Sequence, residues 1–228
     1  MQSLIETRDL LEFTCNRRQL RLERSAIILA GGSSSRFGED KGIVKLGGKP
    51  LLCHVVDSIR WVVDETIIVT SSAERMKKYA TLVNSNVRFF IDAQESMGPL
   101  IGALTGFTYA NGDYALILPF DTPFILKEVL SFLFELCIGR SAVIPRWPNG
   151  QIEPLHAVYK TKTARAAAKA AVADGRLDMR GMIEHMRNVR FVSTLVVAEI
   201  DSELESFYNI NTPLDLKKAE TMIERRKN

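Results

Sequence analysis

Ser25-Ala-Ile-Ile-Leu-Ala-Gly-Gly-Ser-Ser-Ser-Arg-Phe-Gly-Glu-Asp-Lys41 is the stretch on which the fold turns. Ala26 to Ala30 is an unbroken apolar run. A strand covered on both faces, as in a parallel sheet, reads this way because neither set of alternating side chains meets water. Gly31 and Gly32 end the run and open a Gly/Ser loop. Glycine lets the backbone approach a ligand with its N–H groups exposed, and the serines add small donors. Arg36 and Lys41 bring positive charge of the kind a polyphosphate neutralises. The loop is neither a Walker A sequence, since Gly-Lys-Ser/Thr is absent, nor Gly-x-Gly-x-x-Gly. A solvated turn has a similar composition, but this loop follows a buried strand directly, where loops carry function.

Downstream the same grammar repeats. A helix is expected from about Pro50, with proline near its first turn. Strands are expected at Thr66 to Val69, Val87 to Ile91, Tyr114 to Leu118 and Ala142 to Ile144. Helices are expected between them, at Ala73 to Leu82, Gly98 to Tyr109 and Pro123 to Cys137. This alternation predicts an α/β, Rossmann-like three-layer sandwich with a mostly parallel sheet. Leu155 to Tyr159 and Val189 to Val197 read as further strands, and Ala164 to Ala173 as an alanine-rich helix. Asp178 caps a short helix to Met186. Thr212-Pro213-Leu214-Asp215 reads as a capping box opening a final helix. One domain, residues 25–228, is expected, preceded by an N-terminal helical arm, residues 1–24, rich in Arg and Glu.

The 228 residues are enough for one sizeable core, and 46% hydrophobic with 25% charged residues is ordinary for a soluble enzyme. No run of about 18 apolar residues suggests a membrane span, and Glu6, Asp9 and Glu12 break any signal-peptide core. Cys15, Cys53 and Cys137 are far apart and odd in number, which reads as reduced cysteines of a cytoplasmic protein. His54, His156 and His185 are scattered, so no zinc site is expected. The basic group Arg17, Arg18, Arg21 and Arg24 reads as a solvated face, and nucleic acid is not an expected partner.

In open α/β sheets ligands sit beyond the carboxyl ends of the strands. Gly31 and Gly32, Thr70, Asp92 and Asp121 follow the first four strands, so the fold is expected to gather them on one rim. In Leu118-Pro119-Phe120-Asp121-Thr122-Pro123 the acid just past a strand suits Mg²⁺ bridging to phosphate. Asp121 or Thr122 equally suits a helix cap. Asp92 suits a base or ribose contact, or is a plain loop acid. Gly98, Gly102 and Ala103 allow close approach of a ligand or of a neighbouring strand. Asn209 and Asn211 read first as loop-shaping residues before the Thr212 cap, and also stand where the rim of a second substrate pocket would lie. His156, flanked by apolar residues, reads as packed core rather than as a base.

Together these segments resemble the molybdenum cofactor guanylyltransferases: Leu29-Ala-Gly-Gly through Arg36-Phe-Gly and Asp40-Lys41, Gly48-Lys-Pro-Leu51, Gly98-Pro-Leu100, Pro119-Phe-Asp-Thr-Pro123 and Asn209-Ile-Asn-Thr-Pro213. Order and spacing agree from about Ser25 onward. The resemblance implies GTP and Mg²⁺ as reactants, and molybdopterin or the molybdenum cofactor as acceptor. It also implies backbone contacts to GTP from Leu29, Ala30 and Gly31, with Gly32 and Gly98 beside them. Lys41 would hold phosphate, Arg36 would assist it, Asp92 would hold the nucleoside and Asp121 the Mg²⁺. Thr70 stands where the family often has Asn. A homo-oligomer or a protein that hands over the cofactor is compatible with the resemblance. The alternatives are a transferase of the same fold with another base or acceptor, and a GTP-binding regulator without catalysis.

Overall fold

A computed structural model describes residues 22–31, 40–83, 86–92 and 98–227. The opening apolar run forms β1 (Arg24–Ala30), buried from Ser25 to Ile28. A single 3₁₀ turn (Lys41–Ile43) and a small hairpin, β2 (Lys45–Leu46) and β3 (Lys49–Pro50), lead into α1 (Leu51–Ile59). Then come β4 (Glu65–Thr70), α2 (Ala73–Ala80), β5 (Val87–Ile91), α3 (Pro99–Tyr109), β6 (Tyr114–Pro119) and α4 (Lys127–Cys137). The chain continues through β7 (Ala142–Arg146), β8 (Ala157–Lys160), α5 (Thr161–Ala173), α6 (Met179–Glu184), β9 (Val189–Ser193), α7 (Thr194–Val197) and α8 (Pro213–Lys227).

Among the described residues, seven strands form one sheet of order β5-β4-β1-β6-β8-β7-β9. The β5–β4–β1–β6 half is parallel, as is the β7–β9 pair. β8 alone runs antiparallel to both its neighbours. The two-residue period of β1 explains its uniform apolarity. Ala26, Ile28 and Ala30 pack with residues of α1, α2 and α4 on one face. Ile27 packs with residues of α3, α5 and α6 on the other. Ile27, Ile28, Ile67 and Ile68 are fully buried, each stabilising the fold by about 1.5–3 kcal/mol relative to exposure. A smaller cluster of Val44, Leu46, Leu51, Phe124, Ile210 and Ala219 fastens the hairpin and α8 to the end of the sandwich.

Three expectations are corrected. The helix predicted from Pro123 begins at Lys127. Phe124 is drawn into the cluster under α8 while Ile125 enters the sheet-side core. A regular helix cannot aim consecutive residues into two cores, so the turn is postponed. The strand predicted through Val197 stops at Ser193, whose hydroxyl accepts from Leu195 N at 3.2 Å and turns the chain into α7. The hairpin was not expected at all. The two predicted caps are present: Asp178 accepts from Gly181 N at 2.9 Å, and Thr212 and Asp215 form the reciprocal pair, 2.8 and 3.2 Å. The predicted N-terminal arm lies outside the described residues up to position 21, and Arg24 already belongs to β1. Cys53 and Cys137 are free thiols, and Cys15 lies outside the described residues. No described helix is long and apolar enough to cross a membrane.

Candidate active site

Register makes the site. Ile91 pairs with Thr70, Thr70 with Ala30, and Leu29 with Pro119, so four parallel strands end in step. Asp92, Gly31 and Asp121 follow on the same rim. Because β8 runs the other way, with Ala157 beside Ile117, its N-terminal end meets this rim too. The Glu153-Pro-Leu-His156 turn is thereby delivered to it. The Asn209–Asn211 segment joins through Ile210 N, which donates to Asp121 O at 3.0 Å.

Lys41 is buried, 8% exposed, and its Nζ contacts Asp121 Oδ2 and donates to Asn211 Oδ1 at 2.9 Å. Three distant parts of the sequence thus converge on one ammonium group. Its position is set from behind. Asp40 caps the 3₁₀ turn by accepting from Gly42 N at 3.1 Å, takes a hydrogen bond from Tyr79 Oη at 2.5 Å, and lies 3.4 Å from Arg75 Nε. Burial and the Asp40 carboxylate push the Tyr79 phenol pKa well above its usual value, so the hydroxyl is a fixed donor. Tyr79 packs so closely on Gly42 that a Cβ there would lie 2.5 Å from Tyr79 Oη. Gly42→Ala is therefore expected to cost about 1–3 kcal/mol by overpacking and to lower activity by displacing Lys41. Chemical denaturation and kcat check both, and an unchanged denaturation midpoint would contradict the packing.

Asp121 is 9% exposed, and its Oδ1 is a buried oxygen with no hydrogen-bond partner among the described residues. The capping alternative is removed by the late start of α4, whose N-cap is Leu126. Thr122 is fully buried and donates to Pro119 O at 3.2 Å, so it holds the turn. A buried carboxylate oxygen without a partner costs about 1–3 kcal/mol or more, and a hard cation satisfies it. Among the described residues no group of three His, Cys, Asp or Glu is arranged to hold a metal. Mg²⁺ takes one or two carboxylates together with substrate phosphates and water rather than an all-protein cage.

The other expected residues divide. Ala30 is buried and Gly31 exposed at the end of β1. Asp92 N donates to Thr70 O at 2.7 Å, and Asp92 Oδ2 and Leu29 lie 3.6 and 3.3 Å from where a Gly102 Cβ would stand. The missing side chain at Gly102 thus leaves room for Leu29 of β1, with Asp92 beside it. Thr70 is fully buried and its hydroxyl donates to Ser72 O at 3.2 Å, shaping the turn. Gly98 has φ +97°, and a Cβ there would stand 2.8 Å from Leu177 O. Glycine is needed here both for the left-handed backbone and for the contact that ties α3 to the approach of α6. Gly32 and Arg36 lie outside the described residues.

Beyond Asp121 opens a cavity of about 410 Å³. Pro99, Asp121, Glu153, His156, Arg180 and Asn209 are among its walls. His156 is core-packed as expected, at 2% exposure and edge-on to Phe207 at 5.4 Å, but neither ring nitrogen has a partner among the described residues. Burial pushes its pKa down to about 3, which keeps the ring neutral. The Asn211 contact to Lys41 went unrecognised in the sequence. Its only signal was a second polar Asn just ahead of a capping box that needs none.

The family described as MobA-like NTP transferase domain matches residues 26–191. A probable molybdenum cofactor guanylyltransferase of Methanosarcina mazei is 35% identical over 209 residues, 90% of this chain and 93% of its own length. A protein of the same description from Pyrococcus furiosus is 32% identical, covering 86% and 96%. The crystal structure of molybdopterin-guanine dinucleotide biosynthesis protein A from Archaeoglobus fulgidus aligns with a TM-score of 0.75 at 28% identity, covering 88% of this chain and 99% of that one.

Proposed function

The chain belongs to the MobA-like NTP transferase family, and from that premise we propose that it transfers the guanylyl group of GTP to the phosphate of molybdopterin or the molybdenum cofactor. The observation that carries this reading is the buried Lys41–Asp121 pair, with one Asp121 oxygen unpartnered among the described residues and Asp121 lining a cavity. The names of relatives at 32–35% identity over most of the chain support guanine as the base and the molybdenum cofactor as the acceptor.

In this reaction an oxygen of the acceptor phosphate forms a bond to the α-phosphorus of GTP. The bond from that phosphorus to the β-phosphate bridge oxygen breaks, and pyrophosphate leaves with the electron pair. A phosphomonoester is largely ionised near pH 7 (second pKa about 6), so the chain need not supply a general base. What it must supply is tolerance of two anions in contact. Lys41 places a cation at the rim. Asp121 would hold Mg²⁺, which neutralises phosphate charge when bound. Leu29, Ala30 and Gly31 present backbone to the nucleotide. Asp92, beside Gly102, receives the nucleoside, and Gly98 sets the adjoining start of α3. Arg36 and Gly32 complete the phosphate loop in this proposal. Thr70 serves through the turn it ties to Ser72.

Thermal stabilisation by nucleoside triphosphates, each with and without Mg²⁺, tests the reading. A ligand bound only by the folded state stabilises it by mass action, by about 2.7 kcal/mol at 100 times Kd, and so raises the midpoint. A shift with GTP that depends on Mg²⁺ is expected. A larger shift with CTP would assign the other base, and none with any nucleotide, with molybdopterin present, would overturn the proposal.

A further inference from the structure

Among the charged and polar groups around the cavity with no task in the chemistry above are Glu153 and His156, which sit together on the turn that the reversed strand β8 carries to the rim. The turn is tightly held. Glu153 N donates to Pro145 O at 2.9 Å, His156 N to Glu153 O at 3.1 Å, and Tyr159 Oη to Pro154 O at 2.8 Å. Trp147 Nε1 donates to Glu153 Oε1 at 2.6 Å. Both Trp147 and His156 stand edge-on against Phe207, at 5.8 and 5.4 Å. The other carboxylate oxygen, Glu153 Oε2, is 3.8 Å from His156 Nδ1, too far for a hydrogen bond. The ring nitrogens thus stay unpaired in a place where folding alone would favour an apolar residue.

We propose that Glu153 and His156 determine acceptor specificity by pairing with the polar edge of a flat nitrogen heterocycle carried by the acceptor. The Glu153 carboxylate accepts from ring N–H or amine donors, and the neutral His156 ring offers one donor and one acceptor. The acceptor phosphate then reaches Asp121, which lines the same cavity. This inference rests on the proposed acceptor. A pterin ring, with its amine and ring N–H beside a carbonyl, has the required edge. An analogue without these donors leaves the second carboxylate oxygen and the buried imidazole without partners, which is the situation in which sites discriminate strongly.

The test uses the full chain with GTP, Mg²⁺ and molybdopterin, and compares Glu153→Gln, His156→Leu and His156→Gln. Glu153→Gln and His156→Leu are expected to raise the acceptor KM about tenfold or more while leaving the GTP-induced thermal shift intact. His156→Gln, which keeps a donor and an acceptor, is expected to recover most of that loss. His156→Leu is expected to melt no lower than the parent, since it removes an unsatisfied polar ring. Unchanged acceptor KM in Glu153→Gln and His156→Leu would overturn the inference. Loss of the GTP shift in step with KM would overturn it too, by showing general damage. Absence of molybdopterin turnover in the parent would instead count against the proposed acceptor. A separate readout then decides. In a Trp61→Phe background Trp147 is the only tryptophan. Free pterin is expected to quench its emission in the parent and not in Glu153→Gln, and equal quenching, or none in either, would overturn the pairing.

Discussion

Asp121→Ala is expected to abolish turnover while the protein stays folded. The carboxylate accepts from no helix-cap N–H, because α4 starts at Lys127. One of its oxygens contacts Lys41 and the other has no partner among the described residues. In the proposed reaction, removing it removes the protein's hold on the cation that would neutralise the phosphates. Such charge stabilisation is worth several kcal/mol, so kcat/KM should fall by about 10³-fold or more. The same change removes the Asp121 contact from the buried Lys41 ammonium. One-sided loss of a buried pair costs about 3–5 kcal/mol, and the retained Asn211 contact at 2.9 Å argues for the lower end. Asp121→Asn, which keeps the shape and an acceptor for Lys41, separates the two effects: near-parental stability with turnover still lost. Steady-state kinetics over a Mg²⁺ titration, alongside denaturation, checks this. Mg²⁺-dependent turnover near the parental rate in a folded Asp121→Ala protein would contradict the assignment.

Lys41→Ala is expected to reduce kcat/KM by about 10²–10³-fold, the usual effect of deleting one preorganised group aimed at developing charge. It carries a second, opposite consequence. Lys41 occupies one oxygen of Asp121, so a divalent cation meets a carboxylate already partly neutralised. Without the lysine that carboxylate is free of its competitor. Mg²⁺ alone should therefore raise the melting midpoint of Lys41→Ala more than that of the parent. Weaker catalysis with tighter metal binding is a combination that simple unfolding does not produce. Unchanged kcat/KM, or a smaller Mg²⁺ shift in the variant, would show that the pair does not work this way.

Much of this was legible in the sequence because buried parallel strands leave a plain trace. Ile27, Ile28, Ile67 and Ile68 must be apolar on both faces, and glycine, serine and aspartate cluster where those strands stop. The rim followed from that pattern. The reversal of β8 did not, since Leu155 to Tyr159 has the same period in either direction, and with it went the route of Glu153 and His156 into the site. The β2–β3 hairpin is only two residues a strand, below what periodicity resolves. Gly47 and Gly48, with φ +58° and +84°, did carry the two-glycine signal of a tight hairpin. The delayed start of α4 was hidden because Phe124 and Ile125 look like one apolar stretch but enter different cores. The Asp40–Tyr79–Arg75 support of Lys41 spans some forty positions, a separation at which local sequence says nothing about contact.

Product analysis is the most direct test of guanylyl transfer. Purified protein, GTP, Mg²⁺ and molybdopterin are incubated, and pyrophosphate and the nucleotide-linked pterin are quantified together. The expected result is one pyrophosphate per guanine dinucleotide formed, dependent on Mg²⁺, with CTP a poor substitute for GTP. Pyrophosphate release without a guanine dinucleotide, or efficient formation of the cytosine product instead, would contradict it.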